Sequence, residues 1–343
     1  MRLPHPKQLF VSTCLRNAQV VFETKKFNSL KTNEFVQYKR VGLTGLKVSR
    51  LTLGTNNFGG QVDRETSISI IKKAFDLGVN TIDTANVYTG GKSEEIIGSA
   101  INGNRDEFVV CTKVGMPAGI VPNATGLSRK HIVWQIEQSL KRLNTKYVDI
   151  YYMHRFDEET PLEETLKTLD YLIKQGKVLY VACSNFTLEQ LKRAQQVCEN
   201  LSLEQIVAVQ PPYNLLQRDA ERELFPYCQE KKLGVFTYSP LMGGFLTGKY
   251  SENAPPPLGS RAATNPRYAE RLKSANFVAL NKLKAIAQEV GVPLSKLALS
   301  WILKNPVVTS VIVGASKPEQ VEQNAEVVDY KLDDALYQRL SEL

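Results

Sequence analysis

The strongest constraint on the fold of this chain is an alternation of strand-like and helix-like segments that repeats eight times from Ser49 onward. Each short run of β-branched and apolar residues is followed by a longer segment of helical period, and turn residues mark the changes. The predicted strands read SRLTLGT, NTIDTA, FVVCTKV, VDIYYMH, VLYVACSN, QIVAVQ, GVFTYSP and VTSVIVG. Apolar strands joined by helices are typical of a parallel sheet that is covered on both faces.

Eight such units predict an α/β fold of the closed (β/α)8 TIM-barrel type rather than an open doubly wound sheet. The chain contains no G-x-G-x-x-G pattern, which an open dinucleotide-binding sheet would usually carry after its first strand. The stretch from Gly42 to Val48 predicts a small hairpin ahead of the barrel. The longest irregular segment, from Gly243 to about Lys273, predicts a lid or binding loop after strand seven.

Capping residues predict where individual helices begin and end. Asp63 can cap a helix that runs to Leu77, with Ile68, Ile71 and Phe75 on one face. Four glycines are predicted to close helices just before the chain turns back. They are Gly78, Gly176, Gly234 and Gly291.

The positive charge of the chain is concentrated at its beginning. The formal net charge is +8, and residues 1–40 hold eight Lys or Arg against two Glu, which leaves +2 for the remainder. A nearly neutral domain argues against a nucleic-acid groove, and no apolar run approaches the ~18 residues of a membrane helix. We therefore predict a basic, disordered leader over residues 1–40 and a single domain over 41–343, with neither a nucleic-acid partner nor a membrane segment.

The leader also has the basic composition of an organelle transit peptide, although it lacks the apolar centre of a secretion signal. We expect its removal to leave both fold and activity. The five cysteines have no C-x-x-C or other metal-binding spacing, so we predict no metal site. Reduced, mostly buried thiols suit a reducing compartment, and we predict the cytoplasm.

The segment Gly90 to Ser93, GGKS, resembles the end of a phosphate-binding P-loop. That motif requires a glycine five positions before the Gly of its Gly-Lys pair, because backbone amides on the turn wrap the phosphates. The chain has Asn86 at that position. The sequence therefore does not predict a nucleotide triphosphate site here.

Four polar residues stand at the predicted carboxyl ends of strands, where the active sites of such barrels lie. Asp83 ends strand two, Tyr88 follows in its loop, Lys113 is near the end of strand three, and His154 ends strand four. Each alone could be a capping, packing or rim residue, and Lys113 could bury only its stem. Together they predict a proton-delivery site, with a phenol as acid, a cation that favours the phenolate, a carboxylate that holds the cation, and an imidazole that orients the substrate.

The order Asp, Tyr, Lys and His resembles the catalytic tetrad of the aldo-keto reductases. Further matching segments run in order between about Val41 and Val328: LTLGTNNFGG, NTIDTANVY, TKVG, YYMHRFD, VACSNF, VQPPYNLL, TYSPLMGGFLTGKY and VIVGASKPEQVEQN. The chain is most similar to the bacterial and potassium-channel-β-like branches, because Gly259 to Arg261 places a Gly-Ser-Arg near the end of the loop after strand seven. By this resemblance GGKSEE begins the helix that follows the catalytic loop.

The resemblance implies reduction of a small carbonyl compound with NADPH, in which Tyr88 gives the proton, Lys113 and Asp83 tune it, and His154 aims the carbonyl. It also implies a set of residues that bind the cofactor, from the nicotinamide to the 2′-phosphate. In that order they are Gly54, Thr55, Asn56, Ser184, Asn185, Gln210, Tyr238, Ser239, Leu241, Gly243, Lys249, Arg261, Gly314, Ser316, Lys317, Gln320 and Asn324.

Lys317, at the start of the last barrel helix, favours NADPH over NADH, since an ammonium and helix amides there can bind a phosphate. Glu319 would oppose this if it faced the ribose. Phe58, Met116 and Phe156 are predicted to line the substrate pocket with Tyr88. The carbonyl compound and the oligomeric state are not determined by the sequence.

Two other functions remain open. One is a cofactor-sensing regulatory subunit of the channel-β type, with weak reductase activity. The other is a phosphate-cleaving barrel, which would need a cluster of carboxylates and histidines with metal-ligand spacing.

Overall fold

The computed structural model describes residues 37–342. The predicted leader over residues 1–40 therefore lies outside the described residues except for its end. That end is not part of a leader, because Tyr38–Arg40 forms strand β1. The described domain thus begins earlier than the predicted position 41.

Eight parallel strands form a closed barrel, and all eight were predicted in order. The first and last of them pair with each other, with Val311 beside Leu51, so the sheet has no free edge. Their bounds are Leu51–Gly54 (β3), Thr81–Asp83 (β4), Val109–Val114 (β5), Val148–Met153 (β6), Val178–Ser184 (β7), Ile206–Gln210 (β8), Gly234–Thr237 (β9) and Ser310–Gly314 (β10). The prediction of a (β/α)8 barrel is confirmed.

Helices between the strands cover the barrel and bury their apolar faces against it. Asp63 caps the first one by accepting a hydrogen bond from the Thr66 amide, as predicted. The helices are Arg64–Asp76 (α1), Lys92–Ala100 (α2), Arg129–Leu143 (α3), Leu162–Lys174 (α4), Leu188–Asn200 (α5), Leu224–Glu230 (α6), Arg261–Thr264 (α7), Pro266–Lys273 (α8), Phe277–Glu289 (α9), Leu294–Lys304 (α10), Pro318–Ala325 (α11) and Asp334–Ser341 (α12).

The N-terminal hairpin closes one end of the barrel. Strand β1 pairs antiparallel with β2, Lys47–Ser49, and the fully buried Val41 and Val48 pack into the same cluster as inward-facing barrel residues. Gly234 does not close a helix as predicted but opens β9, where a Cβ atom would come within 2.8 Å of Val41 Cγ1. The glycine therefore serves the close approach of the hairpin to the barrel floor.

We expect a chain starting at residue 41 to be less stable than one starting at residue 37. The longer deletion removes Lys39, whose Nζ donates to the carbonyls of Pro306 at 2.5 Å and Val308 at 3.1 Å. Hydrogen bonds from a charged donor contribute roughly 1.5–3 kcal/mol each to stability, so a loss of that order is expected. Urea unfolding of both truncated chains and of Lys39→Met measures it, and equal midpoints for the two truncations would refute the role of β1.

The segment after β9 is more regular than its sequence predicts. Met242–Thr247 forms a 3-10 turn, and α7 and α8 follow within the predicted loop. Ser260 and Asn265 cap these two helices with their side chains. None of the helices between residues 37 and 342 has the length and apolar content that a membrane crossing requires.

Candidate active site

Asp83 and Lys113 form a buried ion pair at the carboxyl ends of neighbouring strands. Lys113 Nζ lies 2.6 Å from Asp83 Oδ1, 2.7 Å from the Thr84 carbonyl oxygen and 3.4 Å from the Tyr88 hydroxyl. Lys113 has no exposed surface and Asp83 is 4% exposed. The partner that the sequence requires for a lysine in an apolar strand is thus the carboxylate of the adjacent strand.

Tyr88 reaches this pair from a short turn. Tyr88–Gly91 is a 3-10 turn in which Thr89 and Gly90 have φ angles of 49° and 68°. The Tyr88 ring meets the His154 ring edge-on, with 6.0 Å between centroids. All four residues predicted from strand ends therefore lie together at one mouth of the barrel.

The charge state of the pair follows from its surroundings. Burial lowers the pKa of Lys113, but the Asp83 carboxylate and Tyr88 outweigh burial and leave that pKa raised, so the amine stays protonated. For Tyr88 burial is the largest effect and raises the pKa, while Lys113 lowers it by less. Lys113 thus acts in the predicted direction, in favour of the phenolate, and burial outweighs it. Tyr88 therefore stays in its proton-carrying form at neutral pH.

His154 is neutral at physiological pH. Burial, with smaller contributions from Lys113 and Arg155, lowers its pKa to about 3. Its Nδ1 is buried and has no hydrogen-bond partner among residues 37–342. A neutral imidazole carries one N–H donor, so it can bind a carbonyl oxygen without adding a charge.

A hydrogen-bonded chain joins the predicted carboxamide-binding residues to the ion pair. The Gln210 amide donates to Asp83 Oδ2 at 2.9 Å, and the Ser184 hydroxyl donates to the Gln210 backbone carbonyl at 2.8 Å. Asn185 donates to the His154 carbonyl at 2.9 Å and accepts from the Tyr238 hydroxyl at 2.8 Å. Because a carboxylate only accepts, Asp83 fixes which way the Gln210 amide points. This link between Gln210 and Asp83 was not predicted.

The residues predicted beside the nicotinamide ribose differ in their exposure. Gly54 ends β3 and pairs with both Asp83 and Gly314. Thr55 is fully buried, and its amide and hydroxyl both donate to the Asp83 carbonyl, at 3.1 and 2.8 Å. Asn56 is the exposed member of this group.

Hydrogen bonds of Arg261 hold the segment after β9 at the mouth of the barrel. Arg261 donates to Asn56 Oδ1 at 2.8 Å and to the Tyr268 hydroxyl at 3.2 Å. A side chain at Gly243 would clash with the Tyr268 ring, which explains the glycine at this position with a φ of 66°. Tyr268 was missed by sequence reasoning, because an aromatic residue in a polar loop gives no signal of its own.

The other cofactor-binding residues predicted after β9 differ in their surroundings. Leu241 packs on the core, and Ser239 has a φ of 59° and accepts a hydrogen bond from Asn214 at its carbonyl. Lys249 is exposed, with its Nζ 5.4 Å from the Tyr250 ring centroid. The structure thus brings Leu241, Gly243 and Arg261 to the mouth, with Lys249 on the surface of the loop.

Of the predicted phosphate-binding residues, Gly314, Ser316, Lys317 and Gln320 lie in or next to the first turn of α11, while Asn324 is near its end. The Ser316 amide and hydroxyl lie 2.8 and 3.1 Å from Gln320 Oε1, which closes the turn before the helix. Lys317 is the exposed N-cap residue, and Asn324 is half-buried. Glu319 lies towards α1, where it adds to the effect of Glu322 in raising the pKa of a lysine of that helix.

Of the residues predicted to line the substrate pocket, Phe58 is wrong, and Met116 and Phe156 stay predictions. Phe58 is fully buried in the hydrophobic core, so it cannot line a pocket. Met116 and Phe156 are half-buried, and the Phe156 ring packs edge-on against Phe186 at 5.1 Å. Between residues 37 and 342 no cluster of three or more His, Cys, Asp or Glu side chains could hold a metal ion.

The structure thus defines a parallel (β/α)8 barrel in which Asp, Tyr, Lys and His side chains lie together at the carboxyl-terminal mouth. The sequence model of the aldo/keto reductase family matches residues 50–343, and the chain belongs to this family.

Similar proteins include some that are named as channel subunits and some that are named as reductases. It is 40% identical over 301 residues to the "Probable voltage-gated potassium channel subunit beta" of Arabidopsis thaliana, covering 86% of this chain and 92% of that protein. It is 36% identical over 305 residues to the L-glyceraldehyde 3-phosphate reductase of Escherichia coli K12, covering 86% and 88%. It is 34% identical over 305 residues to the aldo-keto reductase YhdN of Bacillus subtilis, covering 87% and 90%. These relatives include oxidoreductases.

Proposed function

We propose that the protein is an NADPH-dependent reductase that converts small aldehydes or ketones to alcohols, with Tyr88 as the proton donor. The observation that carries the proposal is the position of the Tyr88 hydroxyl, 3.4 Å from a buried lysine that is paired with Asp83. Family membership and the reductases among the relatives support the same reaction class.

The residues at the mouth suit a nicotinamide dinucleotide. The side-chain amide nitrogen of Gln210 donates to Asp83, so its side-chain carbonyl oxygen can accept a hydrogen bond from the carboxamide of a nicotinamide. Tyr238 is half-buried beside it and can stack on the ring. Arg261 and Lys249 can bind the pyrophosphate, and Lys317 with the amides of α11 can bind the 2′-phosphate.

When bound, the nicotinamide supplies a hydride to the carbonyl carbon. The chain supplies the proton and the orientation. His154 donates a hydrogen bond to the carbonyl oxygen, and Tyr88 transfers its hydroxyl proton to the same oxygen, so that the product is the alcohol. Lys113 then stabilises the phenolate left on Tyr88, which is the charge that develops during the reaction.

A panel of aldehydes, ketones, sugars and sugar phosphates tests the proposal, with turnover followed by NADPH absorbance. The sugar phosphates belong in the panel because a relative is named as a glyceraldehyde phosphate reductase. We expect steady-state turnover of several aldehydes. A protein that binds NADPH but reduces no carbonyl compound would refute the proposal.

We expect Lys317→Ala to weaken NADPH binding by about tenfold to a hundredfold and to leave NADH binding unchanged. The additional phosphate of NADPH is close to doubly charged, and one charge-assisted contact contributes roughly 1.5 to 3 kcal/mol. Fluorescence titration of both cofactors measures the effect. Lys331→Ala is the matched control, because it removes the same charge from an exposed site outside α11. Equal losses for both cofactors would place the phosphate elsewhere.

A regulatory subunit of the channel-β type is the second candidate, and the names of the plant relatives are the observation that favours it. Such a protein would bind NADPH and a potassium channel partner and would turn over carbonyls slowly. Measurement of the native mass, together with co-purification against a channel cytoplasmic domain, separates the two candidates.

A reducing compartment such as the cytoplasm is part of the proposal. Four cysteines of the described chain are buried free thiols, Cys111, Cys183, Cys198 and Cys228. Thiols of this kind persist where the environment is reducing. Localisation of the full chain carrying a C-terminal fluorescent tag tests the assignment.

A further inference from the structure

Helix α2 carries a fully buried carboxylate that the proposed mechanism does not use. Glu94 has no exposed surface and accepts hydrogen bonds from the Thr112 hydroxyl at 2.6 Å and from Arg142 Nε at 2.7 Å. Replacing a buried ion pair by apolar residues is often neutral or stabilising, so such a pair is weak evidence for a role in stability alone. The positions of its two partners suggest another role.

Each partner of Glu94 lies next to a segment that carries a residue of the candidate active site. Thr112 precedes Lys113 on β5, and because side chains alternate along a strand, it faces the helices while Lys113 faces the barrel interior. Arg142 lies against Gly91, the last residue of the turn that carries Tyr88, where a Cβ atom would come within 2.8 Å of Arg142 Cδ. Glu94 therefore links the outer side of the lysine strand to the support of the tyrosine turn.

The preceding residue makes a second link. Ser93 is fully buried, and its hydroxyl lies 2.9 Å from Thr84 Oγ1, 3.0 Å from the Thr55 carbonyl and 2.9 Å from Thr55 Oγ1. The carbonyl of Thr84 accepts one of the hydrogen bonds of Lys113, at 2.7 Å. The first turn of α2 is thus tied to the residues that follow β3 and β4, next to Asp83.

The Tyr88 hydroxyl needs this support. Its distance of 3.4 Å to Lys113 is the longest of the three lysine contacts, so the lysine does not hold the phenol tightly. The turn itself has left-handed residues at positions 89–91. The Tyr88 amide donates to the Ala85 carbonyl and the Thr89 hydroxyl donates to the Phe58 carbonyl. Because α2 follows the turn directly, the anchoring of this helix also affects the position of the turn.

We propose that Ser93 and Glu94 are positioning residues that set the distance between the Tyr88 hydroxyl and Lys113 by anchoring α2 to the strands beneath the site. They touch neither substrate nor cofactor and act through the turn. The inference rests on the proposed function, since it concerns proton donation by Tyr88. Release of α2 would slow proton transfer. Among the residues assigned to the cofactor, Thr55 is hydrogen-bonded to Ser93, so the test is made at Glu94, which contacts none of the assigned residues through the hydrogen bonds of its carboxylate.

The test compares Glu94→Gln with Glu95→Gln, a matched control that makes the same change at the adjacent, exposed position of α2. The substrate is the carbonyl compound that the wild-type protein reduces fastest in the panel. For Glu94→Gln we expect kcat to fall about tenfold to a hundredfold, part of the effect of a positioned general acid. The KM for the carbonyl compound and the Kd for NADPH should stay within about twofold, in the manner of a change confined to the transition state.

The solvent deuterium isotope effect on kcat is the deciding measurement. It should rise in Glu94→Gln, because proton transfer becomes slower, and it would not change if the substitution only lowered the folded fraction. If Glu94→Gln does not fold, Thr112→Val removes the same link from the strand side, and Thr112→Ser should restore kcat. If kcat and the isotope effect are both unchanged in Glu94→Gln, the inference is overturned and the proposed function is not. The same holds for Thr112→Val where that variant replaces Glu94→Gln. Absence of turnover in both wild type and Glu95→Gln would overturn the proposed function and this inference with it.

Discussion

Tyr88→Phe is expected to lower kcat for carbonyl reduction by about a hundredfold to ten-thousandfold, the range for loss of a positioned general acid. The hydroxyl is the group that faces Lys113, and its pKa is raised by burial, so it is protonated and ready to donate at neutral pH. The ring remains in Tyr88→Phe, and its edge-on packing against His154 is kept. The variant should therefore fold normally.

NADPH binding should change by less than about twofold in Tyr88→Phe, because no residue assigned to the cofactor contacts the lost hydroxyl. Steady-state kinetics with several carbonyl compounds and fluorescence titration of NADPH measure the two quantities. Tyr171→Phe is the matched control, since it removes the hydroxyl of an exposed tyrosine on α4. A Tyr88→Phe variant with more than half of the wild-type kcat on every active compound would remove Tyr88 from the role of proton donor.

Lys113→Met is expected to abolish reduction and to lower the free energy of unfolding by roughly 3–5 kcal/mol, the cost of leaving a buried charge without its partner. Asp83 is 4% exposed, and after the substitution the Gln210 amide would be the remaining side-chain donor to its carboxylate. Methionine has nearly the length of the lysine stem, so the change removes the ammonium rather than the packing.

The double variant Asp83→Asn with Lys113→Met should recover a large part of that stability while it stays inactive, because no uncompensated charge remains. Urea unfolding of wild type, both single variants and the double variant closes the cycle. Additive losses in the double variant would mean that the pair is not coupled, and the electrostatic account of the site would then fail.

The barrel strands could be predicted because their apolar, β-branched runs are bounded by turn residues, and period and length suffice to identify them. Strand β1 could not be predicted, because Tyr38–Arg40 is short and charged and is a strand only through its pairing with β2. Gly234 was read as a helix end because a glycine after a helix usually closes it. Its reason is a tertiary one, the approach of Val41.

The four catalytic candidates could be placed together because the carboxyl ends of parallel strands meet at one face. The hydrogen bond between Gln210 and Asp83 could not be predicted, because the two residues are 127 positions apart and neither side-chain type requires the other as a partner. The sequence pattern also does not show which of the residues after a strand are buried. Phe58 follows a strand end just as the site residues do, and only the packing of the surrounding helices places it in the core.

The pairing of the first and last barrel strands has a consequence for biosynthesis. Thr52 and Ser310 share a hydrogen bond of 2.7 Å across 258 positions, and Arg50 donates to the Val308 carbonyl across the same separation. A chain emerging from the ribosome can begin to fold from its N-terminal end, but these contacts form only after nearly the whole barrel has been translated. Until then one edge of β3 has no partner strand, and an unpaired edge of this kind can template pairing with another chain, so the closing pair makes the last-translated strand the one that removes this hazard.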